Sequence, residues 1–383
     1  MKKLIFPLLL LLLSGVSSQA NAAASASPLR VVILGMVHGH VEGFLSASLH
    51  RPDLQIVGIS EPDAAVAQKY ASQFKLDKSL LFANAEQMIQ QTHPQAALVY
   101  TNTFDHRQAV ELCARYGVHV MMEKPLAVSL EEARAIEKAA QQGKIQVLVN
   151  YETTWYRSNR AAYAAAHDKI PGEPSLGQIR KIVVHDGHNG PREINVPPEF
   201  LAWLTDPKLN GGGALFDFGC YGADLATWLM DGARPITVTA VTQHIKPDIY
   251  PNVDDEATII LTYPHAQAII QASWNWPIGR KDLEVYGQTG YAITVARDNI
   301  RVRHAGDDRP GNGRAENEEE QEAAKPIPSP EDDSLSYLRA VVLGGLEPAG
   351  LSSLPTNLVV TEILDAARLS AATGKTVQLA GKE

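Results

Sequence analysis

The chain has 383 residues, 45% of them hydrophobic and 20% charged, with a formal net charge of -9. An acidic balance of this kind repels phosphate backbones and excludes nucleic acid as a natural partner. The length exceeds what one hydrophobic core usually covers, so two domains are expected.

Lys2 and Lys3 precede the apolar run Leu4 to Leu13, and Ala20-Asn21-Ala22 follows as a small-x-small pattern. This reads as a secretory signal peptide over residues 1–22. The run is shorter than the roughly 20 residues a membrane span needs. No Arg-Arg pair precedes it and no cysteine follows it, against twin-arginine export and a lipid anchor. A periplasmic or secreted chain with no membrane attachment after cleavage is therefore expected. Cys113 and Cys220 are too few for a disulfide framework and read as two separately buried thiols.

Residues 23–150 alternate β-branched runs at 30–34, 55–60, 96–100, 119–122 and 146–150 with helical segments near 40–49, 63–74, 85–91, 105–116 and 129–142. Ser129 with Glu132 three residues on forms a capping box for the last helix. The alternation predicts an α/β domain of the Rossmann type, a doubly wound parallel sheet binding its ligand at the strands' carboxyl ends. Beyond Asn150 a helix near 158–167 is followed by strands at 179–185, 237–243, 257–263, 268–274 and 283–287. They predict a C-terminal α+β domain over 151–383, built on a large, mainly antiparallel open sheet. An acidic loop over 305–333, a helix over 356–373 and a strand over 376–379 close the chain.

The first strand runs into Gly35-Met36-Val37-His38-Gly39-His40. In a dinucleotide fingerprint the first glycine makes the turn, the second admits the pyrophosphate and the third lets the helix pack. Gly35 keeps the first place, but Val37 and His40 hold the others and Gly39 is displaced by one. These six residues are still expected to line a dinucleotide, with the following helix offering its first N–H groups to the diphosphate. Glu61, closing the second strand, is placed for the adenosine ribose, and its charge favours NAD over NADP. Asp63 is the better helix cap of the two acids.

Lys124 stands at the carboxyl end of the strand 119–122, where it can hydrogen-bond a substrate hydroxyl. Three glycines, Gly211 to Gly213, then precede a predicted helix. Asp217, Tyr221 and Asp224 fall on one of its faces at i, i+4 and i+7, while Leu215, Phe218, Leu225, Trp228 and Leu229 face the other way. His185 and His188 lack a third ligand at matching spacing, and no metal is expected.

These motifs resemble the Gfo/Idh/MocA family of oxidoreductases. The carrying residues are the Gly35 turn, Thr101-Asn102-Thr103-Phe104-Asp105-His106, Glu123-Lys124-Pro125, the segment Gly211 to Asp224, Ser273-Trp274 and the closing helix with Ser370, Thr373, Gly374 and Lys375. The resemblance implies NAD held by the Gly35 loop together with Glu61, Thr101, Asn102, His106, Glu123 and Lys124. It also implies a sugar or polyol site on the second domain, whose sheet often joins copies into a homo-oligomer. The family's lysine maps to Lys124 and its first aspartate to Asp217. Tyr221 stands where many members carry histidine and is the implied proton shuttle, with Lys124 favouring its phenolate. The reaction expected is hydride transfer between nicotinamide and a carbinol carbon, with Asp217 or Asp224 holding neighbouring hydroxyls. Tyr151, Trp155, Tyr156, Arg157 and His188 are candidates for the substrate lining, while Trp274 and Trp276 are expected to pack within the sheet. An exported enzyme either retains its cofactor or cannot act as an ordinary dehydrogenase, while a Sec-type signal would export the chain unfolded and without it. Two other readings stay open, an NAD-dependent glycosidase of the same fold and a sugar-binding protein without redox chemistry.

Overall fold

The computed structural model describes residues 27–167, 175–305 and 321–379. The predicted signal peptide and much of the acidic loop lie outside the described residues.

The apolar runs of the first half pair as a six-stranded parallel sheet in the order β3-β2-β1-β4-β5-β6. Its strands are β1 (Leu29–Leu34), β2 (Leu54–Ser60), β3 (Leu81–Phe82), β4 (Ala96–Val99), β5 (His119–Glu123) and β6 (Val147–Asn150). Strand β1 shows why the sheet is covered on both faces. Val31 and Ile33 enter one apolar cluster and Val32 and Leu34 another, so a near-continuous hydrophobic run is needed. Helices α1 (His40–Ser48) and α2 (Ala64–Phe74) supply Val41, Leu45, Val66 and Tyr70 to the first face. Helices α3 (Ala85–Thr92), α4 (His106–Arg115) and α5 (Leu130–Gly143) supply Met88, Val110 and Ile136 to the other. Asp63 and Ser129 cap α2 and α5 through their side chains.

Helix α6 (Arg157–Ala166) leads into a nine-stranded sheet in the order β14-β13-β12-β11-β7-β10-β9-β8-β15. Its strands are β7 (Lys181–Gly187), β8 (Thr237–Gln243), β9 (Glu256–Thr262), β10 (Gln267–Ser273), β11 (Arg280–Tyr286), β12 (Gly290–Val295), β13 (Asn299–His304), β14 (Glu322–Ala323) and β15 (Val377–Gln378). Only β7 and β10 pair in parallel; the other pairings are antiparallel. The expected strands shift by up to three residues, and β12, β13 and β14 are additional, β14 falling within the expected acidic loop.

Between β7 and β8 lie four helices, α7 (Pro198–Leu204), α8 (Pro207–Asn210), α9 (Ala214–Asp217) and α10 (Gly219–Leu229). The single helix expected after the glycines is therefore two, broken at Phe218. The Asp217 carbonyl at the break accepts from Lys124 Nζ at 3.1 Å and from the Cys220 thiol at 3.2 Å, which diverts it from the helical ladder. Helix α11 (Ser334–Gly344) returns to the first sheet, adding Leu335, Leu338 and Val341 to its outer cluster. Helix α12 (Leu354–Thr373) lies against α10, β8 and α5. Both cysteines are buried and free. Among the described residues no helix is long and apolar enough to cross a membrane.

Candidate active site

The carboxyl edge of the first sheet meets α9 and α10 at one buried ion pair. Lys124 leaves the end of β5, and its Nζ lies 2.5 Å from Asp217 Oδ1, both side chains almost wholly buried. The other carboxylate oxygen, Asp217 Oδ2, accepts from the Trp274 indole N–H at 2.9 Å. Trp274, expected only to pack, thus helps to orient the acid. Burial works to raise the Asp217 pKa, but the charge and hydrogen bond of Lys124 outweigh it and hold the group below the usual carboxylate range. Burial likewise works to lower Lys124, and Asp217 outweighs it, so the ammonium is stabilised. The glycines before α9 make this approach possible. A Cβ on Gly213 would come 1.8 Å from the Asp254 carbonyl oxygen, and the Asp254 carboxylate accepts from Gly213 N and Leu215 N at 2.9 and 2.7 Å.

Tyr221 is buried beside this pair, with Lys124 Nζ 5.1 Å from its ring centroid. A second cation is nearer. Lys281 Nζ, on β11, stands 4.4 Å from the centroid and 3.5 Å from the phenol oxygen, held by Glu152 at 2.6 Å. Burial, then the negative groups around it, among them Asp186 and Glu152, push the Tyr221 pKa well above its ordinary value. This corrects the expected role of Lys124. Its ammonium is committed to Asp217, so the phenol rests protonated rather than poised as a phenolate. Tyr151 packs edge-on to Tyr221 at 5.4 Å and donates its own O–H to Asn357 Oδ1 at 2.9 Å.

A cavity of about 280 Å³ opens onto Lys124, Asp217, Tyr221, His188, Lys281 and His40, with apolar walls from Pro191 to Phe200. Lys281 is not legible in the sequence, because it precedes the strand expected at 283–287 and only the earlier start of β11 at Arg280 brings it onto the sheet. Asp186 on β7 falls in the stretch His185 to Gly190, which from the sequence can reach the site from the strand end. It is fully buried, neither carboxylate oxygen has a partner among the described residues, and burial raises its pKa well above the usual range.

Several expected site residues lie elsewhere. Asp224 is fully buried and unpartnered on α10, near Tyr151 and Cys220 rather than in the cavity lining, because the break at Phe218 ends the shared face. Trp155 donates to Asn150 Oδ1 at 2.9 Å and packs on Tyr337, and Arg157 pairs with Asp298 at 3.0 Å; neither lines the cavity. Tyr156 donates to Glu152 Oε1 at 2.7 Å. Asn102 folds onto Asp105, and the Thr101 hydroxyl donates to the Asn102 carbonyl. His106 donates from Nδ1 towards the Pro125 and Leu126 carbonyls at 3.1 and 3.2 Å, ordering the turn after Lys124. Asp217 lines the cavity with one oxygen on Lys124 and the other on the Trp274 indole.

The Gly35 loop has the strand-to-helix turn of a dinucleotide site. Gly35 sits at φ 77°, and a Cβ there would lie 2.7 Å from the Thr101 side chain, so glycine is required. The diphosphate seat, however, is covered in this arrangement. His40 N–H donates to His38 Nδ1, Val41 N–H to the His38 carbonyl and Glu42 N–H to the Gly39 carbonyl, so the first turn of α1 does not offer free donors. Glu61 accepts from Met36 N at 2.6 Å and Asp63 N at 2.8 Å, which fixes its carboxylate at the end of β2. Helix α7 lies over the loop: a Cβ on Gly39 would come 2.7 Å from Phe200, and the Trp203 indole donates to the Val37 carbonyl at 3.1 Å. The nicotinamide end around Lys124 and Tyr221 is furnished, and the diphosphate end is covered by α7 in this arrangement, so a dinucleotide reaches the loop once that cover lifts.

Comparison with known proteins places the whole. Residues 29–151 match the description "Oxidoreductase family, NAD-binding Rossmann fold", and residues 163–293 match the GFO/IDH/MocA C-terminal domain. Human trans-1,2-dihydrobenzene-1,2-diol dehydrogenase is 25% identical over 61% of this chain and 64% of its own length. The 1,5-anhydro-D-fructose reductase of Ensifer adhaerens is 27% identical over 48% of this chain and 52% of its own. The match thus spans less than two thirds of these curated relatives. Among solved structures, aldose-aldose oxidoreductase from Caulobacter crescentus, complexed with glycerol, superposes with a TM-score of 0.75 at 21% identity, over 92% of this chain and all of the other. An inositol dehydrogenase homolog from Azotobacter vinelandii, complexed with NAD+, gives 0.74 at 18%, over 92% and 98%. The two-sheet architecture, the Glu123-Lys124-Pro125 turn and both domain matches make this chain a member of the GFO/IDH/MocA oxidoreductase family, with an N-terminal NAD-binding Rossmann domain.

Proposed function

We propose that the protein is an NAD-dependent oxidoreductase acting at a hydroxyl-bearing carbon of a sugar or polyol. The observation that carries this reading is the buried Lys124–Asp217 pair beside Tyr221 at the mouth of a cavity of about 280 Å³. NAD, when bound, would supply hydride exchange with that carbon. Lys124, fixed by Asp217 and Trp274, positions the substrate oxygen, and Tyr221, resting protonated, serves as a proton donor to it in the direction of reduction. Relatives named for a dihydrodiol, an anhydro-sugar, an aldose and inositol support hydroxylated substrates. The N-terminal pattern of residues 1–22 supports export, and an intact mass beginning at Ala23 would check the cleavage. The open face of the second sheet, with half-buried Val183, Ile260 and Ile269, is the proposed contact between copies, and a monomer in sedimentation velocity would refute it.

The cover of α7 over the Gly35 loop favours a second reading, a sugar-binding protein without redox chemistry. Denaturing the purified mature protein and assaying released NAD(H), then titrating the stripped protein with NAD and NADP, separates the two. No bound nucleotide and no affinity for either sinks the enzyme reading. In an active preparation Tyr221→Phe is expected to lower turnover by about 100-fold or more while sparing NAD binding; full activity would remove Tyr221 from the mechanism.

A further inference from the structure

The substitutions that spoil the glycine fingerprint bring two imidazoles to the carboxyl edge of the sheet. His38 and His40 flank Gly39 at the start of α1, and Glu123 ends β5. One ligand atom from each lies within 4.8 Å of the others. Two ligands on one tetrahedral zinc stand about 3.3 Å apart at zinc–nitrogen distances near 2 Å, so the group is close to a chelating arrangement. His40 Nδ1 is already 2.8 Å from Glu123 Oε2, and its half-exposed side chain has the freedom to close the rest.

Ordinary packing leaves this cluster poorly satisfied. His38 is 1% exposed, packed among Phe200, Trp203 and His40. Its Nε2 has no hydrogen-bond partner among the described residues, and its Nδ1 meets the His40 N–H at a long 3.2 Å. Glu123 is also buried. Asn150 Nδ2 donates to its Oε1 at 3.0 Å, the kind of outer contact that orients a metal-binding carboxylate. Glu123 Oε2 takes His40 Nδ1 at 2.8 Å, while the neighbouring ammonium of Lys124 is held in contact by Asp217.

We propose that His38, His40 and Glu123 form a binding site for one divalent transition-metal ion of the zinc class, with an open coordination position towards the cavity. Two imidazoles and one carboxylate suit zinc, and three protein ligands leave a fourth place for water or substrate. His40 lines the cavity together with Lys124 and Tyr221, so the ligand taken there is an oxygen of water or of a hydroxylated small molecule. The proposal does not rest on the NAD-linked reading, since the three ligands come from this chain alone.

The test uses the full mature protein, stripped with EDTA and free of nucleotide. Titration with Zn²⁺ by calorimetry is expected to show one equivalent bound with submicromolar affinity, and Co²⁺ to give the visible bands of a four-coordinate site. His40→Ala is expected to weaken Zn²⁺ binding by about 100-fold or more, since losing even an outer-shell partner costs roughly 10 to 100-fold. His38→Gln is expected to act likewise, and far-UV circular dichroism checks that each variant is folded; because the His40 side chain is half-exposed, its variant keeps the test decisive should His38→Gln misfold. No stoichiometric binding by the wild type, or unchanged binding in His40→Ala, overturns the site. Neither outcome bears on NAD titration, which is read separately, so failure of one reading is distinguishable from failure of the other.

Discussion

Replacing Lys124 by methionine is expected to lower turnover by about 1,000-fold or more and to destabilise the fold by roughly 3 to 5 kcal/mol. The two losses have different causes. Turnover falls because the cation that joins α9 to the cavity is gone. Stability falls because Asp217, almost wholly buried, keeps its charge without its counter-ion. The double variant Lys124→Met/Asp217→Asn separates them: it removes the orphaned charge, so most of the stability should return while turnover stays lost. Urea unfolding at neutral pH and steady-state rates on the same preparations read both quantities. Recovery of activity in the double variant would show that Lys124 only balances Asp217. The pH dependence gives a further check. The Asp217 pKa is depressed from 3.8, so its stabilisation is present above 3.8 and disappears as pH falls through the lower folded value. The Lys124 pKa is raised above 10.5, so its share is present below 10.5 and is lost as pH rises through the higher folded value. The stability difference between wild type and double variant should therefore be flat across neutrality and change only at the acid and alkaline extremes.

Most of the fold and part of this site can be read directly from residue patterns. The parallel sheet is legible because strands buried on both faces require continuous apolar runs, and β1, β4 and β5 have them. Lys124 is legible because a charged residue immediately after such a run sits at the strand's carboxyl end whatever the details. The partnership of Asp217 with Trp274 is not legible, since it joins residues far apart in sequence across a turn whose geometry depends on Gly213 touching the backbone of Asp254. Regular helical spacing also misled: it placed Asp224 beside Asp217 on one face, whereas the carbonyl of Asp217, drawn to Lys124, ends α9 and begins a new helix axis. Helix α7 escaped because Pro198-Glu199-Phe200-Leu201-Ala202-Trp203-Leu204 is too short to show a period. Its burial comes from the Gly35 loop beneath it rather than from any pattern of its own.

That short helix carries the second large effect. Phe200→Ala is expected to tighten NAD binding by about 10 to 100-fold, the reverse of what loss of an aromatic at a cofactor site ordinarily does. The ring lies directly on Gly39, and Trp203 bonds to the Val37 carbonyl. Glu199 ties the start of α7 to α2, accepting from Lys69 Nζ at 2.6 Å and from the Tyr70 hydroxyl at 3.0 Å. A diphosphate can reach the loop only when this cover lifts, so the apparent dissociation constant is the intrinsic one divided by the open fraction. Removing a buried phenyl ring takes roughly 2 to 3 kcal/mol from the closed state, and each 1.4 kcal/mol is about tenfold in population. The gain is capped once the open form dominates, which keeps the expectation near two orders of magnitude. Calorimetric titration of wild type and Phe200→Ala with NAD measures it, and Trp203 fluorescence follows the cover itself. A slow, concentration-independent phase in the wild type that quickens in the variant would mark lifting of α7 as the step before binding. Unchanged affinity would mean that the contacts of Glu61 and the first turn of α1, not the aromatic cover, close the seat. Weaker affinity would place Phe200 among the groups that hold the nucleotide, with α7 closing over it rather than against it.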